Sequence, residues 1–270
     1  MGAIGVFDSG YGGLTILQSF LQKLPEHDFI YYGDNQRAPY GTRSFEEVYD
    51  FTLESVVKLF EKGCPLVILA CNTASAKALR TIQQKYLPLH YPDRRVLGVI
   101  RPSAEVVGQL SKTHHIGLLA TEGTVRSESY RLELEKFSPH IDLFQHACPQ
   151  WVPIIENGLQ DTEEGKQLIK KDVEQLLAMS PQLDTILLAC THYPIIASYI
   201  ETLVPPTVKV VAQGDIVATS LVDYLQRHPE IENRLSKQRT VRYFTSGNPE
   251  EFDRQAREII HLETKAQLML

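Results

Sequence analysis

Two short apolar runs, each closing on an alanine, a cysteine and two polar residues, decide most of what this chain can become. The first reads Leu66-Val-Ile-Leu-Ala-Cys71-Asn-Thr-Ala-Ser75 and the second Thr185-Ile-Leu-Leu-Ala-Cys190-Thr-His-Tyr-Pro194. Val, Ile and Leu without polar alternation suit strands of a parallel sheet covered on both faces. Such sheets take their ligands beyond the carboxyl ends of their strands, and both thiols fall there. After Cys71, the stretch Thr73 to Tyr86 is rich in Ala, Lys, Arg and Gln. It predicts a helix capped by Asn72, Thr73 or Ser75, whose N-terminus would favour thiolate at Cys71.

The rest of the chain alternates in the same style. Ile4 to Phe7 predicts a strand ending at Asp8, Ser9-Gly-Tyr-Gly-Gly13 a tight turn, and Leu14 to Leu24 a helix. Phe29 to Tyr32 predicts the next strand, followed by a polar loop through Pro39-Tyr40-Gly41 and a helix from Phe45 to Lys62. A β-α-β-α order predicts a parallel sheet with right-handed crossovers. The pattern restarts near Ile100, with strands at Ile116 to Ala120 and Ile141 to Gln145 and a helix from Ser127 to Phe137. Asp8 and Cys71 stand 63 positions apart, Thr121 and Cys190 69, so each half pairs a polar first-strand turn with a later cysteine. The expected fold is α/β, with two pseudo-symmetric domains, each a mainly parallel sheet flanked by helices, and an active site in the cleft between them. Residues 1–98 plus 210–270 are expected to form a discontinuous first domain and residues 99–209 the second. Gly98 to Pro102 is the expected outgoing crossing and Pro205-Pro206 the return.

Composition narrows the function classes. The net charge is −6 and no stretch concentrates Lys and Arg as a phosphate-backbone reader would need, so no nucleic-acid partner is expected. No segment approaches the ~20 apolar residues of a membrane span, and no secretory pattern is visible, so a cytoplasmic protein with no membrane partner is expected. Four cysteines without a Cys-x-x-Cys pair fit a reducing compartment. Cys190 and His192, two residues apart, do not by themselves make a zinc site, so no metal is expected.

A free cysteine is most often a small buried hydrophobe. Cys71 and Cys190 differ from Cys64 and Cys148 in their matching places at strand ends and in the polar residues that follow. Thiols at matching ends of two facing domains could flank one ligand from opposite sides, as a proton swap at carbon requires. His192 could serve as proton partner to Cys190 or be structural. Asp8 could face the same cleft or merely form an Asx turn. Glu156 could be catalytic or a solvated acid. Gly10-x-Gly12-Gly13 resembles a phosphate loop only faintly, since Thr15 replaces the dinucleotide fingerprint's third glycine and no P-loop lysine follows. A cysteine phosphatase fails on spacing, because the sixth residue after Cys71 is Lys77 rather than Arg. An amino-acid binding protein would share the hinge and cleft but would not need paired thiols.

On Gly5-Val-Phe-Asp-Ser-Gly-Tyr-Gly-Gly-Leu14, Pro39-Tyr-Gly41, Cys71-Asn-Thr-Ala-Ser75 and Cys190-Thr-His-Tyr-Pro194, the chain resembles the glutamate racemases of the cofactor-independent aspartate/glutamate racemase superfamily. The resemblance runs nearly end to end. It implies that Cys71 and Cys190 are the two acid/base residues, assisted by Asp8, Glu156 and His192. It implies that glutamate is held by Asp8, Ser9, Pro39, Tyr40, Gly41, Asn72, Thr73, Thr121, Thr191 and His192, with no cofactor. A homodimer supplying D-glutamate for peptidoglycan is the corresponding expectation. Aspartate racemases usually carry Cys-Thr-Glu at the second cysteine, where this chain has Cys190-Thr-His192, so aspartate is the alternative substrate. Two departures stand out: Arg101, where many members have Glu, and Gln213, where Asp or Ser is common.

Overall fold

The apolar runs become strands because both of their faces are covered. In the computed structural model, which describes residues 1–269, the chain builds two sheets whose strand pairings are all parallel among the described residues. The first comprises β1 (Ile4–Asp8), β2 (Phe29–Gly33), β3 (Leu66–Leu69), β4 (Arg95–Gly98), β9 (Val241–Thr245) and β10 (Ala266–Leu268), in the order β10-β9-β2-β1-β3-β4. The second comprises β5 (His115–Ala120), β6 (Asp142–Ala147), β7 (Thr185–Ala189) and β8 (Lys209–Ala212), in the order β6-β5-β7-β8.

Alternation along each strand sorts its side chains between two cores. Ile4, Val6, Leu66 and Ile68 join the cluster under the helices Leu14–Lys23 and Gly214–Arg227, while Phe7, Val67 and Leu69 join the cluster under Phe45–Glu61. In β7, Ile186 and Leu188 face one cluster and Leu187 and Ala189 the other. Every residue of β1, β2, β3 and β7 is buried. Truncating one of these leucines to alanine carries the usual core cost of about 2–5 kcal/mol.

Four expectations need correction. The return crossing is not at Pro205-Pro206: β8 pairs with β7 in the register Leu187↔Val211, so a boundary at 210 would cut a strand of the second sheet. Those prolines only shape the turn closed by the Val208 amide on the Pro205 carbonyl, 2.8 Å. The chain returns at Gln213, where the helix Gly214–Arg227 starts and packs on Leu14–Lys23. The helix expected from Thr73 to Tyr86 is broken into Asn72–Lys77, Leu79–Thr81, a π turn Ile82–Tyr86 and Leu87–His90. Pro88 offers no amide and its ring crowds the carbonyl four residues back, which is a recognised cause of such widening. The cap of Asn72–Lys77 is neither Asn72, Thr73 nor Ser75 but Cys71, whose sulfur accepts from the Ala74 amide at 3.4 Å. Ser75 is occupied elsewhere, donating to the Leu69 carbonyl at 2.9 Å. Finally, β4, β10 and the helix Glu163–Met179 add to the elements expected from sequence.

Candidate active site

Strand order fixes where a ligand can sit. From β1 the chain places β2 on one side and β3 on the other, and around β5 it does the same with β6 and β7. Each sheet therefore has its switch point beside its central strand, and the carboxyl ends there carry Asp8 and Cys71 in one sheet, Thr121 and Cys190 in the other. The two ends face each other across a cleft between the sheets, a favoured place for a small ligand. Ser9, Pro39, Tyr40, Gly41, Cys71, Asn72, Thr73, Thr121, Glu156, Cys190, Thr191 and His192 all line it. Asp8 does not line it and lies fully buried behind it.

Asp8 is built into the turn that follows β1. Its Oδ2 accepts from the Gly10 amide at 3.0 Å and its Oδ1 from the Thr191 hydroxyl at 3.3 Å, the latter bond linking the two sheets' loops. Burial raises the Asp8 carboxyl above the usual carboxylate range despite the nearby His192 and the Gly10 and Gly13 amides. Cys71 donates to the Ser9 hydroxyl at 3.6 Å. Burial, with the Asp8 charge beside it, pushes the Cys71 thiol up to about 12, against the pull of the Ala74 amide and Ser9. The thiolate expected at this helix start is therefore not favoured: one amide on a six-residue helix does not offset full desolvation.

The second wall is organised by a relay. Cys190 Sγ lies 4.0 Å from His192 Nδ1, and His192 Nε2 lies 3.0 Å from Glu156 Oε1 at the end of the helix Trp151–Glu156. The Tyr11 ring meets the imidazole edge-on at 5.7 Å between centroids. Burial alone would favour the neutral ring, but the Cys190 sulfur and Glu156 lift His192 up to about 10. A raised histidine stabilises the fold fully below its unfolded value near 6.5 and loses that contribution as pH climbs through the folded value. The melting-temperature advantage of wild type over His192→Asn should therefore be largest below about pH 6.5 and shrink towards about pH 10. Thermal melts of both proteins across that window check this, and a constant gap would contradict the assignment.

A loop closes the cleft from the first sheet. Buried Asp34 accepts from Tyr40 at 2.5 Å and from Arg37 Nε and the Ser246 hydroxyl, each at 2.7 Å. The Gly123 amide donates to the Gly41 carbonyl at 2.8 Å, Lys77 Nζ to the Arg43 carbonyl at 2.6 Å, and Thr73 and Thr121 share a bond of 2.9 Å across the cleft.

Cys148 also lines the cleft, at the end of β6. The strand-end position that singles out Cys71 and Cys190 applies to it as well, and that signal could have found it. Its thiol, with His146 and Asp172, forms a group of potential ligand atoms within 4.8 Å of one another. Asp172 is already engaged there, by His146 at 3.0 Å and Trp151 Nε1 at 2.7 Å. The departure at Arg101 is a surface matter: it pairs with Glu105 at 2.9 Å and lies over the Phe137 ring.

Residues 11–221 match the family model described as Asp/Glu/Hydantoin racemase, a span that holds both cysteines, Glu156 and His192. The chain belongs to the Asp/Glu/hydantoin racemase family. Among its relatives, a glutamate racemase of Dinoroseobacter shibae is 39% identical over 268 residues, covering 96% of this chain and 95% of the relative. A crystal structure of a glutamate racemase from Bacillus anthracis superposes with a TM-score of 0.90 at 32% identity, covering 100% of this chain and 97% of that one. The Francisella tularensis glutamate racemase, solved in complex with D-glutamate, gives 0.86 at 28% identity and the same coverage. Both racemase structures match this chain over its whole length, so the pairing of a six-stranded with a four-stranded sheet is the racemase architecture. No helix among the described residues is long and apolar enough to cross a membrane.

Proposed function

We propose that this racemase interconverts L- and D-glutamate by passing the α-proton between Cys71 and Cys190 across the cleft. The observation that carries the reading is the placement of two thiols at the switch points of facing sheets, each backed by its own ionisable groups. Residues 1–98 with the segment from 213 form one jaw and residues 99–212 the other.

With L-glutamate bound, Cys190 takes the α-proton and Cys71 delivers one to the opposite face. The raised Cys71 thiol suits that role, because the donor must arrive protonated. His192, held by Glu156, is the proton partner of Cys190. The D-to-L direction reverses these roles. One positioned base contributes about 10²–10⁴-fold, so the developing negative charge needs further stabilisation. The Gly10 amide is committed to Asp8 and the Ala74 amide to Cys71. The first-turn amides of Asn72 and Thr73 remain among the donors available to a substrate carboxylate. Likeness to the named relatives supports glutamate as substrate, and with it the expectation of a cytoplasmic homodimer supplying D-glutamate for peptidoglycan.

Circular dichroism of pure L- and D-glutamate incubated with the protein tests the proposal. Both signals should decay to zero without added cofactor and in the presence of chelator, with a higher kcat/KM for glutamate than for aspartate. Preference for aspartate would overturn the substrate, and persistence of both signals would overturn the reaction.

A further inference from the structure

The return crossing carries a polar residue that the proton transfer does not use. Gln213 is 1% exposed, and its side chain closes a ring with two others. Asn72 Nδ2 donates to Gln213 Oε1, Gln213 Nε2 donates to the Tyr130 hydroxyl, and Tyr130 donates to Asn72 Oδ1, each at 2.7 Å. The ring runs in one direction only. Ser103 spends its proton on the Val99 carbonyl at 2.7 Å, so its oxygen must accept from Gln213 Nε2, also at 2.7 Å. The Val99 carbonyl, itself 3.5 Å from Gln213 Nε2, can only accept. Val99 and Ser103, beside the outgoing crossing, thus dictate which way the Gln213 amide faces, and Gln213 dictates which way Asn72 faces.

For Asn72 the consequence is chemical. Its Oδ1 is taken by Tyr130 and one N–H by Gln213, which leaves one N–H uncommitted on a residue that lines the cleft next to Cys71. We infer that Gln213 is a positioning residue: through the ring it makes Asn72 present a donor, never its carbonyl, to a substrate carboxylate. This rests on the glutamate reading above. Without the ring the amide would lose the partners that hold its N–H towards that carboxylate, and an oxygen turned inward would repel it. The ring also ties Asn72, from the first sheet's side, to Tyr130 in the helix Ser129–Phe137 over the second sheet. Substrate binding and the relative placement of the two jaws are therefore set by the same three side chains.

Two single-hydroxyl deletions separate this role from simple stability. Tyr130→Phe opens the ring, while Ser103→Ala removes a bond of equal length outside it and leaves the Val99 carbonyl to orient Gln213. Tyr130→Phe should raise KM for glutamate by about tenfold, the size of a weakened hydrogen bond to a charged group, with kcat changed far less. Ser103→Ala should leave KM within about twofold of wild type although its melting temperature also falls. Gln213→Met, which keeps the length of the side chain, should reproduce the KM rise if Tyr130→Phe folds poorly. Equal KM values in wild type, Tyr130→Phe and Gln213→Met, or an equal rise in Ser103→Ala, would overturn the positioning role. A wild type that racemises no glutamate would instead overturn the underlying reading, and this inference with it.

Discussion

Serine at position 71 or 190 should lower glutamate racemisation at least about 10²–10⁴-fold in both directions, since in the proposed transfer each direction needs one thiol as base and the other as acid. Serine keeps the size of the side chain, but its hydroxyl ionises far above neutral pH and cannot serve as the base. The two variants should differ on a substrate that needs only one of the two steps. A β-chloro amino acid loses chloride once its α-proton is removed, so elimination requires the base on its own face and no proton from the other. Cys71→Ser should therefore keep elimination from the L-analogue and lose it from the D-analogue, and Cys190→Ser the reverse. Elimination from both enantiomers by both variants, followed as chloride release, checks the assignment, and equal losses throughout would refute it.

The second large effect comes from the turn after β1. A methyl group on Gly12 would lie 2.5 Å from Cε1 and Nδ1 of His192 and 2.7 Å from the Thr191 hydroxyl. The imidazole cannot step aside without breaking with Glu156 or Cys190. Gly12→Ala should consequently displace His192, the proposed proton partner, by about an ångström, a misplacement worth roughly 10²-fold in kcat/KM. Gly10→Ala is the matched control in the same turn, because its methyl would meet nothing closer than 3.6 Å. It should keep activity within about tenfold of wild type, well short of that misplacement cost. Comparable losses in the two variants would mean that the turn, and not the contact with His192, is at fault. Close approach is also the reason for two of the glycines there: at Gly12 the backbone is pressed against the opposite jaw, and at Gly13 against Asp8 of its own.

How much of this could be read before folding depends on whether the cause is local. The strands before Cys71 and Cys190 announce themselves because burial on both faces leaves no polar alternation. Edge strands lack that pressure. β4 begins at Arg95 and β10 has two exposed residues, so neither carries a comparable signature. The helix Glu163–Met179 buries only a narrow stripe, Gly165, Ile169, Val173 and Leu176, within a charged surface. The cysteines, His192 and Asp8 are legible because strand ends are where α/β sheets hold ligands. Cys148 escapes because proline follows it instead of the polar pair. The Asn72, Tyr130 and Gln213 ring joins positions 58 to 141 residues apart, and no local pattern records such a meeting.

The division of the first sheet between both ends of the chain sets an order of assembly during synthesis. The four-stranded sheet is continuous in sequence and can close as soon as β8 has left the ribosome. The first sheet cannot, because β2 finds its outer neighbour β9 only from the other end of the chain, and Asp34 finds Ser246 at a separation of 212 residues. Until then the nascent chain presents an open, apolar strand edge, a template for unwanted pairing. The loop that bears Tyr40 is anchored through Asp34 to that same late segment. The cleft is thus among the last features to form, and a ribosome stalled before Val241 would carry the two thiols on a finished second sheet and an unfinished first one.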